Sequence, residues 1–563
     1  MSQLIKTNYI YPYKTKDKFD KLILITKESD GTKNFSVVEK PVLEYYITKP
    51  EFVTGEECRA IELEKTNRFT CYYKDLFSNM INNLNDSKQT QYYKAVMESA
   101  ASGGIINKLR KIHLDYRFHA TDVNIEDYYI GKFLLKYPSQ NNNFGLTKFF
   151  YDIEVDGSTI IGFPEAELAE CEINIISSAM EIDGEINLFM FWLHYTEEEN
   201  PSYTNFFKNI QEKAGKIKKE LEEKCGKKVK IKIKRFAEEL NLLKSFFNLI
   251  NTLRPDFVLG WNSHRFDFPY IYNRLKFLLE GTNETIEDVM CPKEIPYKSV
   301  KYRIDTVKQD PSDNNSTVNV LSYSNHIDQQ NLYANLRKGK GKLESYSLDA
   351  VSEIELGEHK EELETNIKTQ HFDNYDNFFK YSCVDTLLLY MLEEKNHDIE
   401  MLYAISQITE TRVDQCLKKT VCLRNLASKF YKNQGYTISN NRSSLKEKTG
   451  KPRGAYVART DIVKNIGMEL FKGSNLSQYL FEEVCDLDLS SLYPSIIIAF
   501  NLSPETFIKK INVRKTEYDQ TKTSIEDIVI DDYISKDYVS IGHKYFNLPN
   551  MEYLINKVNI KTI

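Results

Sequence analysis

The segment Lys148-Phe-Phe-Tyr-Asp-Ile-Glu-Val155 places two carboxylates in a run that is otherwise mostly apolar and aromatic. Its composition predicts a β-strand, and residues two apart on a strand point to the same face of the sheet, so Asp152 and Glu154 share a face. Two carboxylates buried side by side are costly unless a cation lies between them, which indicates a metal site. Spacing alone does not exclude a role without metal, because Asp183-x-Glu185 has the same spacing and is interpreted only as a hairpin turn.

The residues after this strand predict a mixed α/β domain. Two apolar runs, 172–182 and 186–192, are separated by Asp183-Gly184, which is a strong hairpin signal. Phe257-Val-Leu259 is a short apolar run of the kind found in strands buried on both faces. Pro269 then opens a predicted helix. Hairpin strands followed by alternating helices and strands predict a sheet with helices packed on its faces.

Two further carboxylates follow along the chain. Asp267 lies in the predicted turn between the 257–259 strand and the Pro269 helix, at the strand end where α/β sheets bind ligands. A helix-capping role is its alternative. Tyr381 and Asp385 are four residues apart and would share a helix face, where a phenol can orient a water beside a carboxylate-bound metal. An ordinary exposed aspartate is the alternative for Asp385.

The ordered set of four carboxylates is more specific than any member of it. Four carboxylates suit two Mg²⁺ ions, which prefer oxygen ligands, with Mn²⁺ as the substitute ion. Two such ions, about 4 Å apart, stabilise the attacking and leaving oxygens of an in-line phosphodiester displacement. The pattern therefore favours a metal-dependent nuclease centre within residues 148–397.

Composition narrows the remaining classes of protein. The chain has 563 residues and a mass of 65.8 kDa, which predicts about three or four domains. It has no apolar stretch long enough to span a membrane and no apolar leader, and its nine cysteines contain no Cys-x-x-Cys pair, so we expect a cytoplasmic protein without a zinc site or disulfides. The net charge of −6 argues against a DNA-coating protein but not against an enzyme with segregated charge.

Three stretches carry a family resemblance. Phe150–Val155, Gly260–Tyr270 and Tyr381–Asp385 resemble the motifs of the 3′→5′ proofreading exonuclease domain of family B DNA polymerases, in particular the tailed-bacteriophage branch. Tyr346–Glu353 is similar to the stretch that precedes the last motif. The resemblance implies a ribonuclease H-like domain that acts on single-stranded 3′ ends of DNA, in the cytoplasm of the host if the source is a bacteriophage. It also implies metal ligands at Asp152, Glu154, Asp267 and Asp385, with Tyr381 positioning the water.

A second motif, Asp486-Leu-Asp-Leu-Ser-Ser-Leu-Tyr-Pro-Ser-Ile-Ile497, resembles the first palm motif of the same polymerases. A strand would deliver Asp488 and the Leu489 carbonyl to a metal, and the following turn would offer N–H groups to a triphosphate, as helix N-termini do. By this interpretation Ser491, Leu492 and Tyr493 bind the incoming deoxynucleoside triphosphate, with the Tyr493 ring under its sugar. A buried strand followed by an aspartate-capped helix is the alternative.

Two other family motifs do not occur in these 563 residues: a Lys-x-x-x-Asn-Ser-x-Tyr-Gly fingers helix and an Asp-Thr-Asp palm turn. With one palm carboxylate the two-metal geometry is incomplete, so we expect no polymerisation by this chain alone. The expected partners are primer-template DNA and a second polymerase chain with the fingers, the rest of the palm and the thumb; a sliding clamp is a further candidate. A free-standing exonuclease with a vestigial palm and a non-catalytic replisome scaffold are the alternatives.

The resulting fold class is a multidomain α/β protein. We expect a β-rich N-terminal domain at 1–147, the ribonuclease H-like exonuclease domain at 148–397, a helical segment at 398–440 that returns to the N-terminal domain, and a partial polymerase palm at 441–563. The lysine runs at 227–235 and 337–342 are either solvated surfaces or contacts to DNA phosphates.

Overall fold

The computed structural model describes residues 2–11, 20–53, 60–84, 86–98, 115–137, 145–307, 310–361, 369–440, 491–499, 513–515 and 528–530. The chain divides into two compact units, Met1–Thr449 and Gly450–Ile563. The described part of the second unit comprises a helix, Leu492–Ala499, and an antiparallel strand pair, Val513–Lys515 with Ile528–Ile530. None of the described helices is long and apolar enough to cross a bilayer.

The first unit begins with two small antiparallel sheets, in the orders β1-β2-β3 and β6-β4-β7. The second sheet covers its own apolar core, which includes Leu43, Tyr45 and Phe118. The strands are β1 (Ser2–Ile10), β2 (Lys21–Glu28), β3 (Lys33–Glu39), β4 (Val42–Thr48), β5 (Ala60–Glu62), β6 (Thr66–Tyr72) and β7 (Phe118–His119), and the helices are α1 (Leu76–Asn83), α2 (Ser87–Glu98) and α3 (Ile125–Lys136).

The central sheet has six strands in the order β11-β10-β9-β8-β12-β15. Strand β9 is antiparallel to both of its neighbours, and the other neighbouring strands run parallel. The strands that follow α3 are β8 (Lys148–Val155), β9 (Ile173–Ile182), β10 (Glu185–Leu193), β11 (Val229–Phe236), β12 (Phe257–Gly260), β13 (Val300–Arg303), β14 (Thr317–Val320) and β15 (Asn325–Asp328). The predicted hairpin is confirmed: Asp183 and Gly184 join β9 to β10, both with positive φ as a tight two-residue turn requires.

Helices cover both faces of this sheet. The helices are α4 (Pro201–Lys208), α5 (Ile210–Cys225), α6 (Glu239–Leu253), α7 (Asp267–Leu278), α8 (Ile286–Met290), α9 (Gln329–Leu336), α10 (Leu348–Leu356), α11 (Gln370–Asp373) and α12 (Tyr375–Asn396). On one face Phe246 of α6 contacts Phe191 of β10. The next residue, Trp192, points to the opposite face and packs against Phe379 of α12. The mixed α/β architecture predicted from the sequence is therefore confirmed.

The chain after α12 returns to the N-terminal strands. Two helices, α13 (Asp398–Thr409) and α14 (Lys419–Asn433), lead to strand β16 (Tyr436–Ile438). Strand β16 pairs antiparallel with β5, almost four hundred residues earlier in the chain. The pairing ties this segment to the N-terminal region, whereas the domain boundaries given above stay predictions.

A buried ionic cluster joins the first small sheet to the central sheet. The ammonium groups of Lys27 and Lys33 each lie 2.8 Å from the Asp256 carboxylate, which also accepts hydrogen bonds from the main-chain N–H and the hydroxyl of Thr147. All three charged side chains are buried. Burial lowers the pKa of Lys33 to about 8, although the Asp256 charge opposes that shift. Asp256 precedes β12 directly, so this cluster fixes the strand that leads to Asp267.

We expect Asp256→Ala to lower the free energy of unfolding of the first unit by about 3–5 kcal/mol, because it leaves two buried ammonium groups without a counter-charge. The matched control is Lys33→Met, which leaves Lys27 and Asp256 as a one-to-one pair and should be far less destabilising. Urea unfolding of both variants measures the difference. Equal losses of stability in the two variants would contradict this assignment.

Candidate metal centre and active site

Strand β8 presents its two carboxylates to the helix α12 side of the sheet. Its side chains alternate, so Phe149 and Tyr151 contact Phe246 of α6. Phe150 faces the other way and meets Tyr390 of α12. Asp152 and Glu154 share the face of Phe150, as the sequence predicted from their spacing.

Helix α12 brings the third carboxylate to this face. Tyr381 and Asp385 are one helical turn apart and both are buried. The hydroxyl of Thr386, the next residue, hydrogen-bonds to the hydroxyl of Ser177 on β9, and Ser177 is the strand partner of Asp152. This contact fixes the helix against the strand pair at the level of the acidic residues.

Three of the four predicted carboxylates form one group. One oxygen each from Asp152, Glu154 and Asp385 can be chosen so that all three lie within 4.8 Å of one another. Asp385 is 1% exposed, and its Oδ1 atom has no hydrogen-bond partner among the described residues. A buried carboxylate oxygen without a donor is the kind of atom that a cation satisfies.

Asp267, the fourth predicted ligand, lies outside that group of three. It is the first residue of α7, so the helix begins two residues before Pro269, which is tolerated in a first turn. Asp267 is buried, and burial together with the nearby charge of Asp152 raises its pKa well above the usual range. It is therefore an electrostatic neighbour of the group.

The three grouped carboxylates need a nearby cation to remain ionised. Burial, with repulsion from Asp385, raises the pKa of Asp152 to about 7. Burial and the charges of Asp152 and Asp385 raise the pKa of Glu154 well above its usual range. Burial also raises the pKa of Asp385. Like charges and desolvation act in the same direction here, so positive charge is needed to hold these groups ionised at neutral pH.

Lys360 supplies one such charge, although no motif in the sequence predicted it. Its ammonium group donates hydrogen bonds to Asp385 Oδ2 and, over 3.2 Å, to the Tyr381 hydroxyl. Burial opposes the charged form, yet the charge of Asp385 raises the pKa of Lys360 overall. Lys360 lies in the loop after α10, where its N–H donates to Asp349 Oδ1. Lys360 belongs to no motif with a characteristic spacing. The excess of negative charge predicts that a cationic group lies near the carboxylates, but it does not identify which one.

These residues fit a divalent metal ion. All candidate ligands are carboxylate oxygens, the donors that hard divalent cations prefer. Lys360 donates to the Oδ2 atom of Asp385, whereas the Oδ1 atom of the same carboxylate has no donor in the part of the chain that the structure describes. Family B exonuclease domains use divalent metals, and this acidic group offers the ligands for one.

An exposed aromatic side chain packs against the residue that precedes Asp267. Phe163 lies in the loop between β8 and β9 and is 68% exposed. Its ring centroid is 5.3 Å from that of Phe266, the residue before Asp267. Trp261, in contrast, is buried and donates to the carbonyl of Tyr346, which matches a packing role. Phe163 escapes detection in the sequence because loop exposure leaves no periodic pattern.

The second predicted site falls mostly outside the described residues. Asp488 and Leu489 are not among them. Ser491 has a positive φ of 54° and precedes the helix Leu492–Ala499. Tyr493 in that helix is exposed. The predicted roles of these residues in nucleotide binding stay predictions.

Comparison with known proteins identifies the matching segments. Residues 132–351 match the exonuclease domain of DNA polymerase family B, and residues 475–544 match DNA polymerase family B. The chain is 25% identical to the DNA-directed DNA polymerase of Escherichia phage RB69 over 399 residues, 68% of this chain and 39% of that polymerase. It is 24% identical to the DNA-directed DNA polymerase of Enterobacteria phage T4 over 63% of this chain and 35% of the relative.

A cellular relative shows the same correspondence. The catalytic subunit of DNA polymerase delta from Bos taurus is 24% identical over 54% of this chain and 26% of its own length. The chain thus spans well under half the length of these relatives. The acidic group lies on the strand and helix that the resemblance named, and Asp488 lies within the second matching segment. The chain therefore belongs to the family B DNA polymerases and corresponds to an N-terminal part of such an enzyme, with its exonuclease domain.

Proposed function

We propose that the first unit is a Mg²⁺-dependent 3′→5′ exonuclease that removes nucleotides from single-stranded DNA ends and proofreads during DNA replication. The observation that carries this proposal is the group of three carboxylates formed by the buried Asp385 and the half-buried Asp152 and Glu154. Asp152 and Glu154 lie in the segment that matches the exonuclease domain of family B. Mn²⁺ would substitute for Mg²⁺ because both take oxygen ligands.

The three grouped carboxylates would hold metal, and Asp267 would contribute from the start of α7. When bound, divalent ions supply a hydroxide nucleophile at neutral pH and stabilise the leaving 3′ oxygen. The protein contributes a fixed set of oxygens on a strand and a helix that are packed together. Because β8 and α12 are both rigid elements, the ligands keep their spacing without a bound ion.

Tyr381 and Lys360 would position the attacking water. Burial and the charge of Asp385 raise the pKa of Tyr381, so its phenol stays protonated and can donate a hydrogen bond. Lys360 donates to the same hydroxyl and thereby holds its orientation. The lysine also offsets part of the negative charge of Asp385, which keeps that carboxylate ionised and available.

Phe163 would hold the terminal bases of a frayed strand. An exposed aromatic ring can stack on any base, which suits an enzyme that removes nucleotides without regard to sequence. The Phe163 ring packs at a tilt against the ring of Phe266, the residue that precedes Asp267. This arrangement favours a single-stranded substrate, because paired and stacked bases present no free face to the ring.

The second matching segment points to polymerisation as the other half of the function. By the resemblance, Asp488 and the Leu489 carbonyl would bind metal, and Ser491, Leu492 and Tyr493 would bind the deoxynucleoside triphosphate opposite primer-template DNA. A second polypeptide would supply the fingers, the rest of the palm and the thumb. A free-standing exonuclease with a vestigial palm is the competing function, and the group of Asp152, Glu154 and Asp385 in the first unit is compatible with it.

We expect Asp152→Ala to reduce Mg²⁺-dependent degradation of a single-stranded oligonucleotide by more than about 100-fold, beyond the loss typical of residues that only support metal ligands. The control is Asp183→Asn, which changes the same residue type in the exposed hairpin turn. Mg²⁺ should also raise the melting temperature of the control but not that of Asp152→Ala. Unchanged degradation by Asp152→Ala would place the nuclease centre elsewhere.

Replacing the exposed ring should weaken substrate binding and spare the chemical step. We expect Phe163→Ala to raise the KM for single-stranded DNA by about 10-fold, since stacking on one base contributes ~1–3 kcal/mol. Phe163→Trp keeps a stacking surface and serves as the control. Steady-state kinetics decides the assignment, and a fall in kcat at unchanged KM would contradict it.

We expect no primer extension by the purified chain and extension after addition of a second polypeptide that carries the Asp-Thr-Asp turn. One palm carboxylate cannot complete a two-metal site, whereas the combined chains provide both. Extension assays with Asp488→Ala as the negative control test this expectation. Extension by this chain alone, lost in Asp488→Ala, would refute the two-chain arrangement.

A further inference from the structure

We propose that four lysines on the edge of the central sheet form a binding track for the backbone of single-stranded DNA, separate from the exonuclease centre. The lysine row consists of Lys228, Lys230, Lys232 and Lys234. The proposal rests on the proposed function insofar as DNA is the ligand, but it assigns a binding surface that the nuclease chemistry does not use.

The strand geometry aligns the row. Strand β11 is an edge strand of the described sheet, and alternation places the lysines on one side and Val229, Ile231 and Ile233 on the other. All four lysines are exposed, and residues 145–307 are described without a gap. Three strand spacings of ~4.8 Å separate β11 from β8, so the row lies about 14 Å from the strand that carries Asp152.

Contacts to the protein hold three of these side chains in place. The Lys232 ammonium lies 4.9 Å from the centroid of the Phe189 ring, and Lys234 donates over 2.9 Å to the hydroxyl of Ser245. Lys230 forms an ion pair with Glu185. Side chains that are already ordered lose less entropy when they bind a ligand.

The row concentrates positive charge that its surroundings do not cancel. Strand β11 contains no acidic residue. The adjacent helix α5, by contrast, carries five lysines and four glutamates, the mixture expected of a merely solvated surface. The four lysines carry four positive charges, and Glu185, the ion-pair partner of Lys230, carries one negative charge. The row and this partner together therefore have an excess of three positive charges, although the net charge of the chain is −6.

The other lysine-rich segment lacks such an excess. Arg337 pairs with Asp398 at 2.9 Å, Lys338 pairs with Asp313, and Lys342 pairs with Asp310 at 3.0 Å. Of the two basic runs singled out in the sequence, the one on β11 therefore keeps cations available for phosphates.

The straightness of the row selects single-stranded DNA. Six residues at ~3.3 Å each separate Lys228 from Lys234, so the row is about 20 Å long. A strand of a duplex winds through a full turn in about 34–36 Å and would leave a straight row after one or two contacts. An extended single strand can follow the whole row, as in other proteins that track a backbone with a basic surface.

The test compares Lys228→Gln/Lys232→Gln/Lys234→Gln with Lys216→Gln/Lys218→Gln/Lys219→Gln, which removes three charges from α5 instead. Fluorescence anisotropy measures binding of a labelled oligothymidylate over a series of salt concentrations, with EDTA present so that no hydrolysis occurs. We expect the slope of log K against log salt to become shallower by about 2 in the row variant, because each lost contact to a single strand changes it by ~0.7. The α5 variant should keep the wild-type slope.

Three results would overturn the proposal. An unchanged slope in the row variant would show that these lysines do not bind DNA. Their role would then be to keep the exposed edge strand β11 from pairing with strands of other chains. Equal changes in the row and α5 variants would indicate general charge, and an equal change for a duplex would remove the preference for single strands. Because Asp152→Ala keeps the row intact, it should lose hydrolysis while retaining the wild-type slope, so failure of the nuclease proposal and failure of this one are distinguishable.

Discussion

The unbalanced negative charge of Asp152, Glu154 and Asp385 is the constraint on which the functional part of this structure depends. Burial and repulsion from Asp385 both raise the pKa of Asp152, because desolvation and a like charge each disfavour the ionised carboxylate. Lys360 supplies one positive charge through Asp385. The negative charge that Lys360 does not neutralise requires a cation from solution, and a divalent metal ion bound to carboxylate oxygens meets that need.

The fold brings the three carboxylates together where strand β8 and helix α12, two rigid elements, cross. Strand alternation turns Asp152 and Glu154 toward α12, and the helical repeat places Tyr381 and Asp385 one turn apart on the facing surface. The hydrogen bond between the hydroxyls of Ser177 and Thr386 fixes the level of the crossing. The acidic group is thus built from the regular parts of the structure, while Lys360 reaches it from a loop. Phe163 lies in another loop and packs against Phe266, the residue before Asp267.

Local periodicity explains which features the sequence could predict. The period of two on β8, the Asp183-Gly184 turn and the four-residue spacing on α12 are each encoded within a few residues, and the structure contains all three. Lys360 and the pairing of Asp256 with Lys27 and Lys33 depend on which distant elements pack together. The position of Asp267 outside the closest group likewise follows from where α7 begins, a detail that a motif does not specify.

Charge segregation reconciles an acidic chain with a polyanionic substrate. A net charge of −6 describes the whole chain, yet a DNA strand meets only the charges within about 10 Å at moderate ionic strength. On that scale, the carboxylates at the exonuclease centre are available to bind cations. The carboxylates beside Arg337 and Lys342, by contrast, already form ion pairs with these basic side chains. The surface of β11 differs because its cations outnumber the acids around them. Local excess, rather than the overall balance, therefore decides where a phosphate backbone can bind.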